Sequence, residues 1–374
     1  MRIVKLISVF ISLVLLTSCM PQNTEIKYRL VTEGIGVDYD SENGVYELTV
    51  QVLQTSESAP EQGKSATPVI NYTVTGQTIA QAMTSLGENT GKYPLYSQNR
   101  LILLGSSVTD GQMIKALDFF VREYTSRPDV FVAAASGKAS EVLTADTSGE
   151  VPAKLIESAI RQSSENSVAV DTQLYNAVNL SLEEGSCFTL PLIEVTEDRI
   201  PEKKTIKVTG TRACRKSAEP VMMSDKETMF FLFAADKIKA GSFSIVADEY
   251  SAALEIIRSA TKTKLTLNEG KPELTFEVVC EVDIVEFDSS SFSSFNENDV
   301  SKTEKAAQEY ISQGMSDLLD RFLKREKCDI FRAGTRVRQK YPSVYEALSS
   351  VADIDYSVSV TVDVGRIGQM TVKK

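Results

Sequence analysis

The sequence predicts a mixed α+β protein of several domains. Three observations lead there. The 374 residues exceed what one small core accommodates. Strand and helix patterns alternate from residue 69 to 135, and the apolar period changes from strand-like at 273–287 to helical at 300–325. An apolar fraction of 42% with 24% charged residues fits a folded soluble body rather than a polytopic membrane protein or a disordered chain. Forty Lys and Arg against 51 Asp and Glu give a formal charge of -11, without the positive footprint that nucleic-acid binding needs. Histidine is absent, which excludes Ser-His-Asp and Cys-His chemistry, His-based zinc sites and His pH switches.

The chain opens on a segment unlike the rest. Arg2 and Lys5 give a short positive start, and Leu6 to Leu16 is apolar apart from Ser8 and Ser12, too short for a permanent membrane span. Residues 1–18 therefore read as a cleaved export signal. Leu16-Thr17-Ser18-Cys19 resembles the bacterial lipoprotein box, which implies cleavage before Cys19, a diacylglycerol thioether on its sulfur and an added N-acyl chain. Each buried methylene contributes about 0.8 kcal/mol, so two or three acyl chains hold a protein at a membrane. The acidic body adds no attraction to anionic lipid, and residues 19–24 form a lipidated tether.

Residues 25–200 read as an N-terminal mixed α/β domain. Two strands, at 34–39 and 46–53, flank the turn-forming Asp40-Ser41-Glu42-Asn43-Gly44, with Tyr46, Leu48, Val50 and Val52 alternating. Residues 55–68, rich in Ser, Glu, Pro and Gly, read as an exposed loop before a strand at Val69–Thr75. Ile79, Ala82, Met83 and Leu86 give one helix face. Asp110 is the expected cap of a second helix, with Met113, Ile114, Leu117, Phe120 and Val121 inward. Strands are expected at Asn99–Gly105, Val130–Ala135 and Leu190–Val195, and helices at 136–143, 152–163 and 171–182. The charged stretch Thr196–Lys204, with Pro201, marks the expected main boundary.

Residues 201–260 read as a middle domain, with a strand at Thr205–Cys214 and short elements, strand or helix, at Met229–Ala235 and Ser242–Val246. Residues 261–374 read as a C-terminal domain in which a long helix packs on a sheet. Its strands are Thr261–Leu267, Glu273–Phe287 and Tyr356–Val364, and the serine-rich Asp288–Ser294 is a loop. In the helix, Val300–Arg325, the residues Ala307, Ile311, Met315, Leu318 and Phe322 form one stripe.

No catalytic motif emerges. Gly34-Ile35-Gly36 lacks the rest of a dinucleotide fingerprint, and there is no Walker loop, nucleophile elbow or HExxH. Asp38 and Asp40 lie at i and i+2 beside a turn with no further carboxylate placed to complete a calcium or glycosidase site. The sequence therefore predicts no catalytic residues, no metal ligands and no cofactor beyond the lipid on Cys19, and the protein reads as a non-enzyme. Cys187, Cys214, Cys280 and Cys328 read as buried thiols, with two disulfides as the alternative. The candidate partner-binding residues are Arg100, Arg122, Tyr124 and Arg127, with the Met315 face as a second choice. Arginines at helix ends and strand entries also anchor loops, a competing role for all three.

At these residues a larger pattern emerges. The lipoprotein box, Gly34 to Asp38, Tyr96 to Gly105, Leu117 to Arg127 and Ala135-Ser136-Gly137-Lys138-Ala139 together resemble the C subunits of bacterial spore germinant receptors. The likeness continues through Val208 to Ala213, Lys262-Thr263-Lys264, Asp329-Ile330-Phe331 with Gly334, and Tyr341-Pro342. The resemblance implies a three-domain lipoprotein on the outer face of the spore inner membrane. Its partners would be the A and B receptor subunits, and its role a non-catalytic scaffold in nutrient-triggered germination; direct binding of a small ligand is the alternative. The chain departs from the family pattern by lacking a histidine near Ser97–Arg100 and by carrying Tyr345 where a tryptophan is common.

Overall fold

The computed structural model describes residues 28–54, 69–147, 149–183, 185, 187–197, 204–215, 219–247, 250–289, 297–368 and 370–371. The predicted export signal, the tether with Cys19 and the 55–68 loop lie outside the described residues.

β1 (Arg29–Asp40) and β2 (Val45–Leu53) form the predicted hairpin, and β3 (Val69–Gly76) continues it on the far side of β2. α1 (Ile79–Thr90) starts at Thr78, whose hydroxyl accepts the Gln81 N–H at 3.1 Å, and buries the four apolar residues expected of it. β4 (Tyr93–Leu95) and β5 (Leu101–Leu104) both run parallel to β1. α2 (Asp110–Arg122) leads to β6 (Phe131–Ala135), parallel to β5. α3 (Ala139–Leu143), α4 (Pro152–Glu165) and α5 (Leu174–Leu182) precede β7 (Phe188–Glu197), which lies parallel to β6. β8 (Lys204–Cys214) and β9 (Val221–Met223) close the sheet by antiparallel returns. The strand order is β3-β2-β1-β5-β6-β7-β8-β9, with β4 beside β1.

Helices cover both faces of this sheet. Ile102, Leu104, Val132 and Ala134 share a core with residues of α1, α2 and α5. Leu101, Leu103, Phe131 and Ala133 pack instead with Leu143 of α3 and Ile156 and Ile160 of α4. Burial on two sides explains why β5 and β6 read as continuous apolar runs.

The charged stretch at 196–204 lies between two strands that pair with each other. β7 and β8 pair across it, from Glu197 opposite Lys204 to Phe188 opposite Cys214, so it joins two strands of one sheet. Residues expected in a middle domain are divided accordingly: β8 and β9 belong to the first sheet, whereas β10 (Ser242–Ala247) and β11 (Tyr250–Asn268) belong to a second. Between them α6 (Asp225–Ala234) begins with a capping box, Ser224 with Glu227, and contacts β8, β9 and β11.

The second sheet has the order β10-β11-β12-β13-β14, with β12 (Lys271–Ser289), β13 (Asp355–Ile367) and β14 (Met370–Thr371). β11 spans 19 residues, far beyond the Thr261–Leu267 segment expected to be strand. α7 (Glu297–Leu319) runs into a π-helical turn over Asp320–Arg325 and lies on this sheet, followed by α8 (Ala333–Lys340) and α9 (Pro342–Ala347). A Cβ on Gly314 would fall 2.1 Å from the Phe230 ring, so only glycine lets α6 and α7 approach this closely.

The Met315 stripe is consumed by this packing. Ala307, Ile311 and Met315 are fully buried in a core with Phe276, Cys280 and Val362. Met315 therefore offers no surface to a partner in this structure, because α7 turns its one apolar face to the sheet it was expected to cover.

Candidate partner-docking surface

Arg100 sits just before β5, and its side chain points into the protein's own acid groups. Its Nε donates to Glu33 Oε2 of β1 at 2.7 Å and its Nη1 to Glu157 Oε2 of α4 at 3.0 Å. Those two carboxylates raise the Arg100 pKa, the Glu33 hydrogen bond most strongly. Burial works to raise the Glu157 pKa, but hydrogen bonds from Arg161 and Arg100 outweigh it and hold the carboxyl below its ordinary range. The Arg161 guanidinium also lies 4.6 Å from the Phe131 ring centre. Arg100 is thus a clamp between a strand and a helix. Its neighbour Asn99 is buried, and neither amide atom has a protein partner among the described residues.

The other three candidates lie together at the end of α2 and in the turn after it. Arg122 pairs with Asp118 one turn back at 2.7 Å, and Arg127 makes a two-pronged contact with Asp129 at 2.9 and 2.6 Å. Both guanidiniums remain substantially exposed and are raised in pKa by those hydrogen bonds. Tyr124 stands between them at 88% exposure. It borders an open groove of about 560 Å³ whose walls include Arg29, Tyr93, Tyr96, Phe119 and Glu123. Tyr93 is itself 63% exposed, so two tyrosines mark one rim. Amphipathic rings at the edge of a groove suit a protein or membrane-interface partner.

Asp38 and Asp40 have structural explanations. Asp38 is buried, and its two carboxylate oxygens accept the N–H groups of Ala139 and Ser140 at 2.9 Å, capping α3 from across the sheet. A Cβ on Gly105 would fall 1.9 Å from Asp38 Oδ1, which fixes glycine there. Asp40 accepts from the backbone of Glu42 and Asn43 in the hairpin turn. Asp110 is not the cap of α2: Thr109 fills that place in a capping box with Gln112. Asp110 instead accepts from Arg212 Nη2 at 3.1 Å and from the Arg215 N–H at 2.5 Å. Burial raises its pKa against the pull of Arg212 and Arg215. Among the described residues, no group of three or more Cys, Asp or Glu is placed to hold a metal ion.

A second constellation, which the periodicity did not single out, joins the two sheets. The carboxylate of Asp329 accepts the Ala333 and Gly334 N–H groups at 2.8 Å, and its carbonyl accepts the Cys187 N–H at 3.2 Å. Arg332 donates to Glu183, Thr335 contacts the same carboxylate, and Arg215 donates to the Glu326 carbonyl at 2.7 Å. Phe331 packs against Phe231 of α6 and Phe276 of β12. All four described cysteines are buried, and the Cys187 and Cys328 sulfurs lie 2.9 Å apart within this knot. The signal for it was the short run Asp329-Ile330-Phe331 with Gly334, in which a carboxylate precedes a glycine at helix-capping distance. Tyr345 packs against the same core, so an aromatic ring is retained where tryptophan is common.

The chain matches the family model for the spore germination protein N-terminal domain over residues 22–195, and that for the spore germination B3/GerAC-like C-terminal domain over residues 221–368. Spore germination protein B3 of Bacillus subtilis (strain 168) is 22% identical over 362 residues, covering 92% of this chain and 94% of that protein. The crystal structure of the GerBC protein has the same fold, with a TM-score of 0.57 at 17% identity, covering 88% of this chain and 97% of that one.

Proposed function

Because the chain belongs to the spore germination GerAC family, the C subunits of germinant receptors, we propose that it is a non-catalytic, lipid-anchored subunit that scaffolds such a receptor. The observation that carries this reading is the match of both domain models, in order, across nearly the whole chain. Its partners are then the receptor A and B subunits, and its place the outer face of the spore inner membrane. Cys19 supplies the anchor through covalent diacylglycerol and an N-acyl chain. No helix among the described residues is long and apolar enough to cross a membrane.

The groove beside Tyr93 and Tyr124 is the docking surface in this reading. Arg29 of β1 lies opposite Tyr93 of β4, and Tyr28 is nine positions after Cys19. That length spans at most about 30 Å, so the start of β1 and this groove stay close to the bilayer where membrane-bound subunits are met. Glu123, Tyr124 and Thr125, which lie between Arg122 and Arg127 in sequence, line the groove.

Native spores carrying Cys19→Ala, a deletion or the wild-type chain test the reading through dipicolinate release, with protein level measured in the inner membrane. The variant and the deletion are expected to lose the response to one germinant. Normal germination of deletion spores with no paralogue present would sink it. Tyr93→Ala with Tyr124→Ala is expected to reduce recovery of the A or B subunit on co-purification, and unchanged recovery would move the interface elsewhere. Saturable heat on titrating germinants into residues 25–374 would instead favour direct ligand binding.

A further inference from the structure

Cys187 and Cys328 meet where the two sheets join. Cys187 lies immediately before β7, at the edge of the first sheet's helical cover, and Cys328 lies in the turn that follows the π-helical end of α7. They are 141 positions apart in sequence, yet their sulfurs are 2.9 Å apart, within about 1 Å of a disulfide bond length. Both side chains are buried.

The surrounding backbone holds that approach from both sides. The Cys187 N–H donates to the Asp329 carbonyl at 3.2 Å, and the Cys328 N–H donates to the Phe322 carbonyl at 2.8 Å. Arg332 pairs with Glu183 four residues before Cys187, and Arg215 holds the Glu326 carbonyl two residues before Cys328. The contact is therefore a product of the fold rather than of two mobile side chains. The other two thiols are placed differently. Cys214 faces Phe188 across the β7–β8 pairing, one position from Cys187, and is the competing partner. Cys280 lies in β12, inside the second core.

We propose that Cys187 and Cys328 form an intrachain disulfide that staples the two sheets together. The oxidant is a dithiol oxidant in its disulfide form. One cysteine thiolate attacks a sulfur of that disulfide, giving a mixed disulfide and releasing one thiolate. The second cysteine then attacks the sulfur of the first and expels the remaining thiolate. One S–S bond forms in this chain and one breaks in the oxidant. The two cysteines together lose two electrons and two protons, and the oxidant ends as two thiols. Exchange requires thiolates, and in the folded chain the hydrogen bond to Cys187 and burial both raise the Cys328 pKa. Oxidation thus belongs to the folding stage, before the junction closes, which fits a chain that folds after export. Once made, the bond closes a loop of well over one hundred residues and prevents the two sheets from parting at this edge.

The test is peptide mapping of the full chain, unfolded and refolded in buffer containing oxidised and reduced glutathione, then alkylated under denaturing conditions. A cross-linked peptide pair containing Cys187 and Cys328 is expected, with Cys214 and Cys280 alkylated. Recovery of both Cys187 and Cys328 as alkylated thiols, or of a Cys187–Cys214 pair, would overturn the proposal. Because this is done in vitro, its outcome does not depend on the receptor role proposed above. A second measurement uses the thermal midpoint. Wild type is expected to fall on adding dithiothreitol, whereas Cys187→Ala with Cys328→Ala is expected to be indifferent to it. Equal sensitivity of the two would also overturn the proposal.

Discussion

β5 and β6 are buried at every residue, whereas β11 alternates between buried and exposed positions over its first half and is largely exposed over its second. The first sheet is covered by helices on both faces. The second presents one face to α6 and α7 and leaves Ile257, Val279 and Val285 about half exposed on the other. Charge follows the same division. The first sheet encloses the Asp110–Arg212 pair, with both side chains under 5% exposed, while the second carries Arg258–Glu281 and Lys264–Glu277 on its outer surface. The lesson is that equivalent-looking strands and ion pairs carry different weights, set by what lies over them.

Four measurements sharpen that contrast. Arg212→Met should be the most damaging, since it leaves Asp110 buried without its partner. A loss of about 3–5 kcal/mol is expected in urea unfolding, and a loss below about 1 kcal/mol would show that water reaches the pair. Ile102→Ala should cost about 2–5 kcal/mol, against at most about 0.5 kcal/mol for Val279→Ala on the open face; equal costs would mean that the second sheet is also covered. The third measurement is of pH dependence. The Glu157 carboxyl is held below its ordinary 4.5 in the folded state, so the folded chain binds this proton less readily than the unfolded one. Its stabilising contribution is full above about pH 4.5 and disappears as pH falls through the folded-state value. Glu157→Gln should therefore flatten the fall in thermal midpoint below pH 4.5, and an unchanged slope would reject this account. Arg258→Ala should matter least, by about 0–1 kcal/mol, with even that difference fading at high salt.

The same contrast explains what the sequence made legible. Half-covered strands announce themselves by alternation, as β2 and β12 did, and α7 announced itself by one apolar stripe. α6 did neither. Residues Thr228 to Ala234 are all buried, because the helix is wedged between the two sheets and has no solvent face to break the apolar run. Its strand-or-helix ambiguity follows directly. The polar and proline chemistry of Thr196–Lys204 suits a strand return as well as an interdomain linker, and β7 and β8 pair on either side of it. Asp110 looked like a cap by residue type, but its actual partners, Arg212 and Arg215, are more than one hundred residues away and leave no local pattern. For the docking candidates the sequence grouped Arg100 with Arg122, Tyr124 and Arg127. The structure separates them, turning the first inward to Glu33 and Glu157 and leaving Tyr124 at the rim of a groove.

The parallel pairing of β12 with β13 constrains how the molecule is made. Residues 290–354, with α7, α8 and α9, intervene between these two strands. As the polypeptide emerges, β11 and β12 can zip into a long hairpin early. One edge of β12 then waits, with its backbone groups unpaired, until residues 355–367 arrive. An open edge of that length is a template for pairing between molecules. A chain ended before Asp355 should therefore be lost mainly to aggregation, visible as material moving from the soluble to the insoluble fraction, while its first sheet still has every strand it needs.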